Sequence, residues 1–190
     1  MVIIKKKYFL IIESIKDIDL KNIKIRNKFF IIYRNLKKEE KLSNLLKFRR
    51  ICKLKAIKLY VANNFKLAIS LNADGIYLSS SNKDLRGLSF KKFNFELIGS
   101  AHNFREILYK TRQGCNAILL SRLFLVNYDN VDSYLGVVKF NNYNRVSKKL
   151  IPLGGIKNNN LNQLKNVNSQ GFALLSEIKK KPAKIFSRLF

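Results

Sequence analysis

Two stretches near the end of the chain have residue types and spacing that suit the binding of an anion. Leu153-Gly154-Gly155-Ile156 follows a short apolar run. A glycine pair lets the backbone come close to a bound group, with its N–H groups able to point at oxygens. Gly171 to Ser176 ends a second apolar run on a serine, whose hydroxyl and N–H would face the same anion from the other side. A helix expected from Leu161 to Val167, after three asparagines any of which could cap it, would add a favourable dipole if aimed there. Turns use glycine freely, so the pair gains its meaning from the strand ends that flank it. His102 is the one histidine, which removes any multi-histidine metal site. It reads either as a ligand-touching group or as a structural residue that caps the helix from Asn103 or satisfies a backbone carbonyl. Cys52 and Cys115 have neither CxxC spacing nor a histidine cluster, and read as small, partly buried hydrophobes.

The elements that must position these residues show as short β-branched runs alternating with polar or periodic stretches. The strand candidates are Tyr8 to Ile12, Phe29 to Tyr33, Ile57 to Val61, Gly75 to Leu78, Glu96 to Ser100, Ala117 to Leu120, Ile151 to Leu153 and Phe172 to Leu175. Their near-continuous hydrophobicity suits strands buried on both faces, as in parallel sheets. Eight such runs favour a closed (β/α)8 barrel over an open doubly wound sheet. In such barrels the loops after the seventh and eighth strands commonly hold a phosphate, where Gly154, Gly155 and Ser176 fall. Helices are expected over Glu39 to Lys53, with Leu42, Leu45, Leu46 and Arg49 on one face, and over Phe65 to Leu71 and Asn103 to Gln113. Lys83 to Asn94 is irregular and basic, so the fourth outer helix is expected to be lost, and Val126 to Tyr134 reads as a long loop. Pro182 opens a final basic amphipathic helix, Ala183 to Phe190, read as the last outer helix of the barrel rather than a membrane anchor. No repeat, linker or boundary interrupts residues 1–190, which read as one domain.

At 190 residues and 47% hydrophobic the chain can bury one real core, at the low end of length for this architecture. No apolar run reaches the roughly 18 residues needed to span a bilayer. The basic, then briefly apolar start lacks a signal-peptide core and cleavage site, so the reading is cytoplasmic, with no membrane partner. The formal charge of +26 invites a nucleic-acid reading. Lys and Arg are, however, scattered along the whole length among many Asn and Ile, which is the pattern of compositional drift and a solvated surface. No specific nucleic-acid partner is expected, and nothing in the sequence fixes an oligomeric state.

Four stretches together resemble the thiamine-phosphate synthase and thiazole tautomerase (TenI-like) family, as a divergent member. They are Leu67-Ala68 through Asn72-Ala73-Asp74-Gly75-Ile76-Tyr77-Leu78; Ile98-Gly99-Ser100-Ala101-His102; Gly114 to Phe124; and Leu153-Gly154-Gly155-Ile156 with Gly171 to Ile178. Their order and spacing follow the family from about Tyr33 to Ile178. The resemblance implies the barrel, a role in thiamine biosynthesis, and phosphorylated thiazole and pyrimidine molecules as partners. The thiazole phosphate would sit at the Gly-Gly loop. In this family a thiazole phosphate is joined to a pyrimidine diphosphate, whose pyrophosphate leaves with the help of Mg²⁺.

The resemblance carries residue by residue, with departures. Arg34 matches the arginine that contacts pyrophosphate and Ser100 a serine that does the same; these two are the catalytic candidates. The lysine two residues after Arg34 is Leu36 here, with Lys37 and Lys38 adjacent. An Asn-Asp pair of the family aligns with Ala62-Asn63, so one metal aspartate is an amide. The next falls on Asn82, or on Asp84 with a two-residue insertion, which makes Asp84 the one metal-ligand candidate. Mg²⁺ is thus implied by the family while its carboxylates are largely replaced. Arg122 stands where a tautomerase carries its catalytic histidine and a synthase a proline. Asn63, His102 and Arg122 are the further substrate-site candidates. A divergent synthase is the first reading. A catalytically altered or inactive relative that binds a thiazole phosphate or thiamine phosphate is the second, and a basic nucleic-acid-binding protein the third.

Overall fold

Each of the eight apolar runs becomes a strand. The computed structural model describes residues 7–23, 27–35, 40–85, 95–126 and 133–175. Its strands are β1 (Lys7–Ile12), β2 (Phe29–Tyr33), β3 (Lys58–Ala62), β4 (Gly75–Leu78), β5 (Glu96–Ala101), β6 (Ala117–Ser121), β7 (Leu150–Leu153) and β8 (Gly171–Leu174). Neighbours pair in parallel in chain order, and β8 returns onto β1 through Tyr8 opposite Phe172, so the sheet is a closed barrel. The expected (β/α)8 architecture holds.

Continuous hydrophobicity follows from burial on both faces. Alternate residues point opposite ways, so Phe9 and Ile11 of β1 face inward with Phe30, Ile32, Tyr60, Tyr77, Ile98, Leu119, Ile151 and Ala173. Tyr8, Leu10 and Ile12 face outward into the layer beneath the helices. The inner set begins with stacked rings, Phe9 on Phe30 at 4.7 Å between centroids and Phe30 on Tyr60 at 6.3 Å. Such a barrel is filled by layers of side chains rather than hollow.

The outer layer departs from expectation in several places. Helix α1 spans Leu42–Leu54 and buries Leu45, Phe48, Arg49 and Cys52; of the expected face Leu45 and Arg49 are buried, while Leu42 and Leu46 are 47% and 38% exposed. The cause is Arg49, which turns inward to pair with Asp74 and sets the rotation of the helix. Helix α2 (Phe65–Ser70) is capped by Asn64, and α3 (Phe104–Arg112) by Asn103. Helix α4 (Gly136–Ser147) was not expected. Its apolar stripe of Val137, Phe140 and Tyr143 is interrupted by asparagines, and no side chain caps its start. One of those asparagines, Asn144, is buried and accepts from Leu150 N at 3.1 Å, fastening α4 to β7. Between β1 and β2 stand two 3-10 turns, Ile15–Asp17 and Leu20–Asn22. Most of Lys83 to Asn94, the tip of the loop after β6 and the final helix Ala183 to Phe190 lie outside the described residues. Both cysteines are wholly buried rather than partly so, and burial pushes the Cys52 thiol up to about 12. Among the described residues no helix is long and apolar enough to cross a membrane.

The amino end of the barrel is held by two carboxylates. Asp74 Oδ2 accepts from Arg49 Nη1 and from Leu59 N, each at 2.7 Å, while Arg49 Nε donates to Asn72 O at 3.0 Å. Glu96 accepts from Lys58 and from the Tyr60 hydroxyl inside the barrel mouth. Gly75, next to Asp74, starts β4 where a Cβ would lie 2.0 Å from Glu96 O, so any side chain would push β4 off β5. The Ala73-Asp74-Gly75 stretch is thus a structural device. Replacing Asp74 by Asn leaves the Arg49 charge, in a residue 5% exposed, without its counter-ion. The expected loss is about 2–3 kcal/mol, below the full value for buried pairs because Asp74 is partly wet. That corresponds to a melting temperature roughly 5–10 °C lower by circular dichroism.

Candidate functional site

At the carboxyl end the inward positions change character. Below, they hold Ile98, Leu119 and Ile151; one step further up each strand they hold Ser100, Ser121 and Leu153, with Arg34 and Ser79 just past β2 and β4. These residues line a cavity of about 290 Å³ together with Tyr77, His102, Arg122 and Gly154 to Ile156. Four of the expected site residues with described positions, Arg34, Ser100, His102 and Arg122, therefore meet Gly154 and Gly155 around one space. Arg34 and Arg122 follow β2 and β6, which are diametrically opposite in the barrel.

Tyr77 is the centre of the polar floor. It is 2% exposed, with Ser100 and the Arg34 guanidinium beside its hydroxyl. Burial pushes this hydroxyl above its ordinary range, while Ser100 and Arg34 pull it down. It therefore stays protonated at neutral pH and can donate. Arg34 N donates to Ile12 O at 2.8 Å, which fixes its backbone to β1. Its buried Nε has no acceptor among the described residues.

His102 does not cap α3. Asn103 Oδ1 accepts from Glu106 N at 2.9 Å, and Glu106 Oε2 accepts from His102 N at 2.8 Å. The imidazole turns to the cavity instead, its Nδ1 lying 2.9 Å from Ser121 Oγ. Tyr77, Ser79 and Ser121 were not among the expected residues. Their inward orientation is set by strand parity, which could have been read from the register of the apolar positions below them.

The Gly-Gly loop is shaped by close packing. Gly154 and Gly155 have φ of +91° and +67°, and a Cβ on Gly155 would lie 2.3 Å from Phe124 O. Phe124 N donates to Gly154 O at 3.1 Å and Leu123 N to Leu153 O at 2.9 Å, which seats the Gly-Gly turn directly on the loop after β6. Asn160, expected as a possible cap, makes no cap bond. It turns back, giving Nδ2 to Gly155 O and accepting from Lys157 N, both at 2.8 Å. The following segment is a 3-10 turn, Leu161–Asn166, in place of the expected α-helix and its dipole. Among the described residues the amides of Gly154, Gly155 and Ile156 donate to no acceptor, so an anion at this turn would meet these amides rather than a helix end. Ser176 and Lys37 lie outside the described residues.

The lip expected to hold a metal is built differently. Asn63, at φ +54°, accepts at Oδ1 from Ser79 N at 3.1 Å and from Asn82 Nδ2 at 3.0 Å, and gives Nδ2 to Ser79 Oγ at 3.0 Å. Asn82 Oδ1 accepts from Asp84 N at 2.8 Å. Asp84 is not among the cavity-lining residues. Its carbonyl is held by Gln113 Nε2 at 2.7 Å, and the carbonyl of Asn82 by Lys110 Nζ at 2.6 Å. Lys110 is fully buried, and burial lowers its pKa. Among the described residues no three His, Cys, Asp or Glu side chains cluster, and no residue lining the cavity carries a carboxylate. The donor set does not fit Mg²⁺, which demands hard oxygen ligands in a near-octahedral arrangement. A larger cleft of about 740 Å³ opens at the opposite end, lined by Lys7, Arg145, Lys148 and Lys149 among amides. It offers charge, and its Ser169 hydroxyl is tied to the carbonyls of Leu150 and Gly171.

With this geometry in place, four likenesses are informative. The profile of the family described as "Thiamine monophosphate synthase" matches residues 3–178. Thiamine-phosphate synthase of Prochlorococcus marinus (strain AS9601) is 30% identical over 146 residues, 74% of this chain but 40% of that protein. The chain therefore spans about two fifths of that relative's length. The protein of the same name from Clostridioides difficile (strain 630) is 25% identical over 77% of this chain and 71% of its own. Thiamine phosphate pyrophosphorylase from Pyrococcus furiosus superposes with a TM-score of 0.75 at 14% identity, covering 98% of this chain and 94% of that one. This last likeness is one of fold.

Gly155→Ala tests the amide cradle. Inorganic phosphate is expected to raise the melting temperature of the native chain, with an increment that grows with the logarithm of ligand concentration once this exceeds Kd. The Ala variant is expected to lose that increment, besides melting lower by the roughly 1–3 kcal/mol of an imposed left-handed conformation.

Proposed function

The chain belongs to the thiamine monophosphate synthase family, and on that footing we propose that it joins a pyrimidine, carried as its diphosphate, to a thiazole phosphate and releases pyrophosphate. The observation that carries this reading is the 290 Å³ cavity with Arg34 and hydroxyls on one side and, on the other, Arg122 beside backbone amides that have no acceptor among the described residues. Two anionic groups at opposite ends of one small space are what this transfer brings together. The reading takes residues 1–190 as one domain at work in thiamine biosynthesis in the cytoplasm.

In this reaction the thiazole ring nitrogen attacks the methylene carbon of the pyrimidine. The carbon–oxygen bond to the diphosphate breaks, and its electron pair leaves on the diphosphate oxygen. The ring nitrogen becomes quaternary, so no proton is needed from the protein at the carbon. What the protein must supply is alignment and charge at the leaving oxygen. Gly154, Gly155 and Ile156 would hold the thiazole phosphate by their amides, with Ser176 completing that end. Arg34 would meet the departing diphosphate, with Ser100 and the protonated Tyr77 hydroxyl donating beside it. His102 would orient the Ser121 hydroxyl towards the same space, and Asn63 would shape the lip through Ser79. Removing water from this pocket strengthens each of these contacts.

The reading is tested by incubating purified protein with both substrates and measuring thiamine phosphate by chromatography. Arg34→Ala is expected to lower kcat by about 10²-fold, as for loss of one preorganised donor, with little change in KM for the thiazole phosphate. Absence of product across metal-free and metal-containing buffers would overturn the transfer. Stabilisation by thiazole phosphate without turnover would then identify the chain as a binding relative.

A further inference from the structure

We propose that the diphosphate is gripped by Arg34 and Arg122, closing from opposite sides of the barrel, in place of a divalent cation. The inference rests on the transfer reading for the identity of the ligand, and on the donor set of the cavity for its content.

The first support is what the metal lip has become. Asn63 and Asn82 stand at the positions where the family resemblance places metal carboxylates. The oxygen of Asn63 already accepts from Ser79 N and Asn82 Nδ2, and that of Asn82 from Asp84 N. A neutral amide whose oxygen faces N–H donors is a poor ligand for a small hard cation. The loop bearing Asn82 is fixed from behind by the buried Lys110 and Gln113, which hold the carbonyls of Asn82 and Asp84. Swinging the Asp84 backbone into the cavity would break the bond from Gln113 and disturb the Lys110 contact beside it.

The second support is charge. Arg34 and Arg122 both line the cavity, and among the described residues that line it none is acidic. Two guanidinium groups bring the same formal charge as one divalent cation. Each presents a planar fork of donors suited to paired phosphate oxygens. Arg122 is also held in place: Gly154 packs on it so closely that a Cβ there would lie 3.3 Å from Arg122 Cα and Cβ.

Calorimetric titration of the full chain with inorganic pyrophosphate, in EDTA and in excess Mg²⁺, tests the proposal. Affinity in EDTA is expected to be within about threefold of that in Mg²⁺. Arg122→Ala should weaken it at least tenfold in EDTA, and Arg122→Lys should recover only part of that loss, since a point charge lacks the fork. The double variant Lys148→Ala/Lys149→Ala, at the opposite cleft, should leave it unchanged, and melting curves establish that each variant is folded. Binding that requires Mg²⁺, or that falls with the double variant and not with Arg122→Ala, overturns the proposal. Thiamine phosphate formed only in Mg²⁺ would also overturn it while leaving the transfer reading intact. Pyrophosphate binding in EDTA that depends on Arg122, without product under any condition, would uphold the grip and overturn the transfer.

Discussion

The whole molecule depends on one requirement: an eight-stranded parallel barrel needs the inward positions of its lower and middle layers filled by side chains. Phe9, Phe30 and Tyr60 fill the lower part with rings, and Ile98, Leu119 and Ile151 the middle. Filling ends where Tyr77 brings a hydroxyl to the top of the packed column. Above that level the same alternation delivers Ser100, Ser121 and Arg34 into open space. The cavity is the part of the barrel interior that the sequence leaves unfilled. Its floor is rigid because it is the upper surface of the core.

The small number of carboxylates explains the electrostatic character of that space. Asp74 and Glu96 hold the amino end of the barrel, Glu106 accepts from the amides at the start of α3, and Asp17 and Asp19 close the turns after β1. Glu40 accepts from Ser14 and Ile15. These acidic side chains thus serve the fold, and the described residues that line the cavity are cations and neutral groups. In a chain with 38 basic and 12 acidic residues, a site that needed two free carboxylates would compete with anchors the barrel cannot lose.

Much of this was legible in the sequence, because parallel strands buried on both faces leave unbroken apolar runs whose limits differ from the observed strands by about a residue. The helices were harder to read. The face of α1 is set by Arg49 reaching Asp74, a contact that hydropathy does not register, and α4 hides its stripe among asparagines such as the buried Asn144. The segment after the Gly-Gly loop looked helical because three asparagines preceded it, yet Asn160 bonds back to Gly155 instead of capping forward. At the site, Gly154 and Gly155 were visible as residue types. Tyr77 and Ser121 were not, since their role comes from which way a strand faces once the barrel has closed. The Asn63–Ser79–Asn82 network joins three loop residues far apart in sequence through side-chain bonds that no local pattern encodes.

The seating of Gly155 on the backbone of Phe124 and Leu125 carries a consequence for the order of events. With φ of +67° and no room for a single added carbon, the turn after β7 and the start of the loop after β6 cannot shift independently. Arg122 is the first residue of that second loop. A phosphate that stills the glycine turn also stills the stem of Arg122, so the entropy of ordering both is lost once, with whichever ligand arrives first. Two ligands meeting in this space would each find the protein better prepared after the other has bound. The glycine pair would then act as a mechanical link that makes the two binding events cooperative.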